Sequence, residues 1–104
     1  MELTYGIDIS DINGVISGEG TLVCENGRYV YGTEMRRVTL AGSYKNDKLM
    51  LHWTEFGRHQ FQVHMDLQMK NDQGAGTFSS SIAKEAGNAA IVRRHEAIAC
   101  TDPS

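Results

Sequence analysis

The sequence predicts an all-β protein: an antiparallel meander of about eight short strands that forms a closed or nearly closed small barrel. Three observations support this fold class. Tight-turn signals recur along the chain, apolar and polar residues alternate between them, and the pairings that the turns impose collect the apolar residues on one face. Closure is favoured because an open meander exposes two strand edges.

Two Asn-Gly turns, Asn13-Gly14 and Asn26-Gly27, join the first three strands. Asn-Gly is the strongest short hairpin signal, because both central residues of a type I′ turn need positive φ. The first turn predicts the pairs Ile9–Gly18, Ile7–Gly20, Tyr5–Leu22 and Leu3–Cys24. The second turn predicts the pairs Cys24–Tyr29 and Leu22–Tyr31.

The next strands are joined by Asn46-Asp47 and by the three-residue loop Gly57-Arg58-His59. These turns predict the pairs Tyr44–Leu49, Gly42–Leu51, Leu40–Trp53, Trp53–Val63, Leu51–Met65 and Leu49–Leu67. A four-residue loop over 71–74 then predicts the pairs Leu67–Phe78, Met65–Ser80 and Val63–Ile82. Each hairpin has one apolar face.

Residues 79–96 are the one segment for which a helix competes with a strand. Ile82, Ala86 and Ala90 lie four residues apart, as on one face of a helix. Gly87-Asn88, followed by the β-branched pair at 91–92, favours a turn and then a strand. We expect one barrel domain over 1–98 and a flexible tail over 99–104.

Composition excludes several classes of protein. The 104 residues are 40% hydrophobic and 22% charged, with a net charge of −3, which is typical of a single globular domain. The net negative charge argues against nucleic-acid binding. The lack of a long apolar run argues against a membrane span, so we expect neither nucleic acid nor a membrane as a partner.

The first residues show no secretory signal pattern, so the sequence favours the cytoplasm, although a secreted protein trimmed of its signal could begin in the same way. Cys24 and Cys100 match no metal or redox spacing. In the cytoplasm both would be reduced thiols.

Four glycines, at 18, 20, 42 and 76, face the barrel interior in the predicted register. One interpretation is steric, since glycine permits sharp coiling and leaves room for neighbouring rings. The other is functional, since glycines can leave a cavity for a ligand.

The Gly-centred segments at 18–22, 40–44 and 76–78 resemble the strands of small meander barrels of the lipocalin and avidin group, the calycins. The resemblance covers nearly the whole chain through its pattern. It departs from lipocalins in having Tyr5-Gly6-Ile7 on the first strand, and from avidins in having one tryptophan, Trp53. What the resemblance implies is a barrel architecture, and it leaves the ligand open.

A candidate ligand site lies at one end of the predicted barrel. Glu55 has the inward parity of Trp53, and Arg36 and Tyr31 approach the same end. Such a polar group above an apolar floor is the usual composition of a binding pocket. The alternative is a salt bridge at the rim that contributes little stability.

Histidines form the only metal candidate, and it is a weak one. His52 and His64 are predicted to lie opposite each other on the outer face, with Cβ atoms roughly 5 Å apart. His59 in the loop is a candidate third ligand. Without a further fixed ligand, we expect two solvated histidines and no metal or other cofactor.

Apolar residues that point outward bear on protein partners. Met50, Phe56, Val23 and Val30 fall on the outer face in the predicted register. A patch of such residues marks association, so a protein partner or a homodimer is an open alternative.

Three functions follow from these patterns. The first is a non-catalytic binding barrel for a small amphipathic or apolar molecule. The second is a protein-interaction module, such as an inhibitor, an immunity-type protein or a homo-oligomeric subunit, that uses its outer sheet face. An enzyme is the least favoured, because no nucleophile–base pair or complete metal set is present.

Overall fold

The computed structural model describes residues 3–32, 36–56, 60–81, 86–93 and 96–101. Within these ranges the chain forms eight antiparallel strands, as the alternation predicts. The strands are β1 (Leu3–Ile12), β2 (Val15–Glu25), β3 (Arg28–Tyr29), β4 (Arg37–Lys45), β5 (Lys48–Phe56), β6 (Gln60–Lys70), β7 (Gln73–Ser80) and β8 (Ala86–Val92). No helix in these ranges has the length and apolar character needed to cross a bilayer.

Asparagines begin four of the tight turns. Asn13, Asn26, Asn46 and Asn71 have φ of 55°, 52°, 53° and 58°. Asparagine tolerates this left-handed conformation better than most residues. The turn chemistry read from the sequence is therefore the chemistry that closes these hairpins.

Most predicted strand pairs are confirmed. The pairs Ile9–Gly18, Cys24–Tyr29, Gly42–Leu51 and Trp53–Val63 all occur. Around the first hairpin the prediction fails only at its far end. A bulge between Thr4 and Tyr5 shifts the register, so that Leu3 pairs with Glu25 and not with Cys24.

Two further predicted pairs, Leu22–Tyr31 and Leu40–Trp53, are wrong. β3 contains only two residues, and the amide of Leu22 donates to the carbonyl of Arg36 at 2.9 Å. The ladder between β4 and β5 ends at Ala41 and His52, one pair short of Leu40–Trp53.

The register between β6 and β7 also differs from the prediction. Leu67 pairs with Gly76 and Met65 pairs with Phe78, a displacement of two residues. The cause is the turn: only Asn71 and Asp72 separate the strands, in place of a four-residue loop. A displacement by two keeps each side chain on its predicted face.

The described residues of the segment 79–96, for which a helix was the alternative, include a strand and no helix. Ala86–Val92 forms β8 and pairs with β7. Gly87 and Asn88, predicted as a turn, lie within this strand. Residues 82–85, 94 and 95 are outside the described residues.

The described strands form an open half-barrel, so the closed or nearly closed barrel expected from the sequence is not confirmed. Its strand order is β1-β2-β4-β5-β6-β7-β8, and it curves through 212°. β3 pairs only with β2, on the same side of β2 as β4 and beyond the end of the β2–β4 ladder. It therefore adds no width to the sheet. β1 and β8 remain as edges.

Three of the four inward glycines, at 18, 42 and 76, lie where a neighbouring backbone approaches closely, which supports the steric interpretation. A Cβ at Gly42 would lie 1.8 Å from the carbonyl oxygen of Met50, and one at Gly76 would lie 1.9 Å from that of Asp66. Neighbouring strands therefore cross these positions with no room for a side chain. The resulting coiling turns the apolar face inward.

The core lies on the concave face of the half-barrel. Its buried members are Ile16, Val38, Leu40, Leu49, Leu51, Trp53 and Leu67, and half-buried residues such as Tyr5, Ile7, Met65 and Ile91 pack against them. β1 and β8, although they are at opposite edges, both contribute to this cluster.

Cys24 and Cys100 form a disulfide, so the expectation of two reduced thiols is wrong. The bond joins β2, next to one sheet edge, to the segment that follows β8 at the other edge. Ile98 packs against Gly6 of β1. The segment predicted as a flexible tail over 99–104 therefore contains a covalent anchor, while residues 102–104 are outside the described residues.

Candidate functional site

A buried carboxylate is the most distinctive feature of the concave face. Glu55 near the end of β5 is 2% exposed and is the one buried charged side chain among the described residues. The alternation of β5 places it on the face of Leu51 and Trp53. Burial of a carboxylate is costly unless hydrogen bonds or an opposite charge compensate it.

Two neutral donors share one oxygen of this carboxylate. Glu55 Oε1 accepts hydrogen bonds from the hydroxyl of Tyr5 and from Nε1 of Trp53, the latter at 3.0 Å. The rings of Tyr5 and Trp53 pack together, with centroids 5.7 Å apart. The site is therefore built from β1 and β5, which are separated in the sheet by β2 and β4.

The second oxygen of Glu55 has a different environment. Arg36 Nη1 lies 3.7 Å from Oε2, which is an ion pair but longer than a hydrogen bond. Among the described residues, Oε2 has no hydrogen-bond partner although it is buried. The Arg36 side chain is 31% exposed, so the cluster reaches the surface through this side chain.

Burial raises the pKa of Tyr5 far above its ordinary value, and the hydrogen bond to Glu55 raises it further. Tyr5 therefore remains a protonated donor throughout the physiological range. A phenol that holds its proton this firmly is a poor general acid or base near neutral pH.

Three of the four residues predicted for the ligand site lie together: Arg36, Trp53 and Glu55. Tyr31 does not join them. It is 71% exposed, and its ring lies 6.4 Å from that of Tyr29. Because β3 ends at Tyr29, Tyr31 is not held in the sheet at the Glu55 end.

Tyr5 is the site residue that the sequence analysis missed. Its inward direction opposite Leu22 was predicted and is confirmed. The missing information was the curvature, since only a strongly coiled sheet brings β1 over β5. An inward tyrosine with no polar partner on its own hairpin was the available signal, because a buried hydroxyl usually has a partner.

His52 and His64 lie directly opposite each other, as predicted, and both are exposed. They border a shallow surface cavity of about 340 Å³ with Thr54 and Gln62. His59 is outside the described residues. Among the described residues, no group of three or more His, Cys, Asp or Glu side chains is placed to hold a metal ion.

Of the four outward apolar residues, the three whose side chains the structure describes are buried or half-buried. Val30 is 7% exposed, and its amide donates to the carbonyl of Val23. Val23 and Met50 are half-buried, and Val23 lies beside Gly6, which Ile98 covers. The side chain of Phe56 is outside the described part of the structure.

No protein-family model matches the chain, and comparisons with curated proteins and with solved structures give no match. The cluster formed by Tyr5, Arg36, Trp53 and Glu55 is therefore the feature of the chain that bears on its function.

Proposed function

We propose that the protein is a non-catalytic binding protein for a small amphipathic molecule, whose polar group is recognised by Glu55 and Arg36. The observation that carries this proposal is the unequal use of the Glu55 oxygens. Oε1 accepts two hydrogen bonds, whereas the buried Oε2 accepts none from the described residues. An ionised carboxylate oxygen is a strong acceptor, so a ligand N–H or O–H group is the natural partner.

Access to Oε2 depends on Arg36. Arg36 is the charged neighbour of Oε2, its side chain is partly exposed, and it is not locked by a short hydrogen bond to Glu55. A modest rotation of this long side chain would admit a ligand group. The same guanidinium could then pair with an electronegative atom of that ligand.

The apolar part of the ligand would lie on the concave face towards β6, β7 and β8. Val63, Met65, Phe78 and Ile91 are only half-buried there, in contrast to the fully buried leucines of β2, β4 and β5. An apolar surface beside a few polar groups is the usual form of a small-molecule site.

A binding role fits this cluster better than a catalytic one. Tyr5 holds its proton, and Oε1 of Glu55 is already engaged by two donors. Tyr5 is therefore not a free base or nucleophile, and the open acceptor, Oε2 of Glu55, is paired with the cationic Arg36, which suits it to holding a ligand. The cluster can fix the orientation of a ligand without reacting with it.

Trp53 provides a direct test, since it is the only tryptophan of the chain and contacts Glu55. We would titrate decylamine, decanol and decanoate, each below its micelle concentration, and follow tryptophan emission. We expect saturable binding of decylamine and decanol, because both carry a hydrogen-bond donor for Oε2. Decanoate, which lacks a donor when ionised, should bind more weakly.

Glu55→Gln is the decisive variant, because it keeps the shape of the side chain but removes the charge. We expect it to weaken binding of decylamine by tenfold or more, in line with about 1.5–3 kcal/mol for a hydrogen bond to a charged group. Glu19→Gln, on the exposed face of β2, is the matched control. Absence of saturable binding by all three probes, or equal affinity in Glu55→Gln, would refute the proposal.

The disulfide also bears on where the protein acts. Disulfide bonds such as Cys24–Cys100 form and persist in oxidising compartments. We therefore infer that the protein acts in an oxidising compartment and not in the cytoplasm expected from the sequence. Expression with and without a secretory leader, followed by alkylation of free thiols, tests this inference. Two alkylated cysteines after export would contradict it.

A further inference from the structure

The two edges of the open sheet differ in how they are protected. β1 carries two exposed aspartates, Asp8 and Asp11, and Ile98 of the C-terminal segment packs against its Gly6. Edge charges and covering segments are devices that prevent strand pairing. β8, with the sequence AGNAAIV, has neither a charge nor a proline, and no described strand pairs with its outer side.

The backbone direction of β8 follows from one hydrogen bond beyond its end. The amide of Arg93 donates to the carbonyl of Asp72, on the β7 side. Because hydrogen-bonded and non-hydrogen-bonded pairs alternate in an antiparallel ladder, the amides of residues 87, 89 and 91 also point towards β7. Those of Ala86, Asn88, Ala90 and Val92 point away from the sheet.

We propose that β8 is a self-association edge: it pairs antiparallel with β8 of a second copy of this chain, about a two-fold axis at Ala89. This register overlaps all seven residues and sets Asn88 opposite the partner's Ala90 and Ala86 opposite the partner's Val92. All four have outward amides and carbonyls, so about eight backbone hydrogen bonds form, two for each pair.

Side-chain sizes fit the same register. Across the axis Ile91 faces the partner's Gly87, and Ala89 faces its own counterpart. Within one chain the pattern is already the same, since Ile91 pairs with Gly74 and Phe78 pairs with Gly87. Ile91 is half-buried in the single chain, and pairing would cover it further on the concave face.

The absence of charged residues on β8 allows it to pair with an identical strand and distinguishes it from the other edge strand, β1. Self-pairing brings identical strands together, and like charges close to each other are destabilising. β8 has no charge to repel its copy, whereas β1 would bring its aspartates together. A two-fold pair of edge strands is also self-complementary, as closed dimers require.

The test is the oligomeric state as a function of concentration, by sedimentation velocity. A pair of seven-residue strands is smaller than a standard interface of about 1,600 Å², so we expect a reversible dimer that dissociates on dilution. Ala90→Pro removes an outward amide and leaves the ladder with β7 intact, since proline is tolerated at the free side of an edge strand. It should weaken dimerisation tenfold or more.

Ala90→Val is the matched control, because it keeps the amide and favours a strand, and its dimer should be retained. Circular dichroism and thermal unfolding must show that Ala90→Pro folds. Independently of any variant, amide hydrogen exchange of Asn88 and Ala90 in the wild-type protein should slow as its concentration rises. A protein that is monomeric at all concentrations, or a dimer unaffected by Ala90→Pro, would overturn the proposal.

Discussion

The hydroxyl of Tyr5 donates a hydrogen bond to Glu55 across the concave face, between residues 50 positions apart in sequence. The two strands that carry them are not neighbours in the sheet. The bond therefore exists only because the sheet coils. It joins the edge strand β1 to the centre of the fold and supplies one of the two hydrogen bonds that Oε1 of the buried carboxylate accepts.

Removal of this donor should destabilise the fold. In Tyr5→Phe, Glu55 Oε1 would retain only the indole of Trp53, and a buried charged acceptor would lose one partner. We expect the free energy of unfolding to fall by about 1.5–3 kcal/mol, measured by urea unfolding. Tyr29→Phe, at an exposed ring with no carboxylate partner among the described residues, is the control and should change stability little. An equal loss in the two variants would contradict the structural role of the bond.

The raised pKa of Tyr5 predicts a dependence of stability on alkaline pH. The folded protein holds the phenolic proton above the pH at which the unfolded chain, with a tyrosine pKa near 10, releases it. The contribution to stability is therefore complete below about pH 10 and is lost as pH rises above it. The loss is at most about 1.4 kcal/mol per pH unit and is smaller here, because Tyr5 is only half-buried.

The difference between the wild type and Tyr5→Phe isolates this titration from that of other groups. Tyr44, whose pKa is also raised by its hydrogen bond to Asp47, contributes in the same direction in both proteins. Urea unfolding at about pH 9, 10 and 11 should show a steeper decline for the wild type than for Tyr5→Phe. Parallel declines would show that Tyr5 titrates in the folded state as it does in the unfolded chain.

Local chemistry made most of the fold predictable from the sequence. The asparagine turns fixed which residues pair near each hairpin, as the pairs around Asn13-Gly14 and Asn46-Asp47 show. Where the loop length was misjudged, at Asn71, the register moved by two residues. Since alternation has a period of two, the pattern of apolar residues cannot reveal such a displacement.

Features that depend on the shape of the whole sheet were not predictable. Closure depends on coiling summed over all strands, and β3 proved too short to widen the sheet. The same coiling decides that Tyr5 and not Tyr31 reaches Glu55. The Cys24–Cys100 bond depends on the path of the segment after β8, for which the sequence carries no periodic signal.

Inward glycines should differ sharply in their tolerance of a methyl group. Gly42→Ala would place a Cβ 1.8 Å from the backbone oxygen of Met50, so a strand would have to move. Gly87→Ala would meet the ring of Phe78 at 2.9 Å, and a side chain at that position can shift. We expect a cost above about 3 kcal/mol for the first and about 1–2 kcal/mol for the second.

Urea unfolding of both glycine variants measures this difference. Ala41→Ser, beside Gly42 but on the opposite face of β4, serves as the control for substitution within the same strand. Similar losses for Gly42→Ala and Gly87→Ala would mean that β4 and β5 are not as closely apposed as the structure has them.

The disulfide should contribute at least as much to stability as a single hydrogen bond of the site. It closes a loop with a sequence separation of 76 residues, for which restriction of the unfolded chain gives about 4.5 kcal/mol. Native-state strain or residual structure in the unfolded chain lowers such values, so we expect Cys100→Ser to lose about 2–4.5 kcal/mol.

Reduction provides the internal control for that variant. Dithiothreitol should lower the urea midpoint of the wild type to nearly that of the double variant Cys24→Ser, Cys100→Ser, and should leave the double variant unchanged. Loss of the disulfide should also free Ile98 from Gly6. Limited proteolysis with an enzyme that cleaves in the C-terminal segment should then remove that segment faster. A wild-type midpoint that reductant does not move, with thiol release verified by alkylation, would show that the bond adds no stability. The packing of Ile98 against Gly6 would then be sufficient by itself to hold the C-terminal segment against β1.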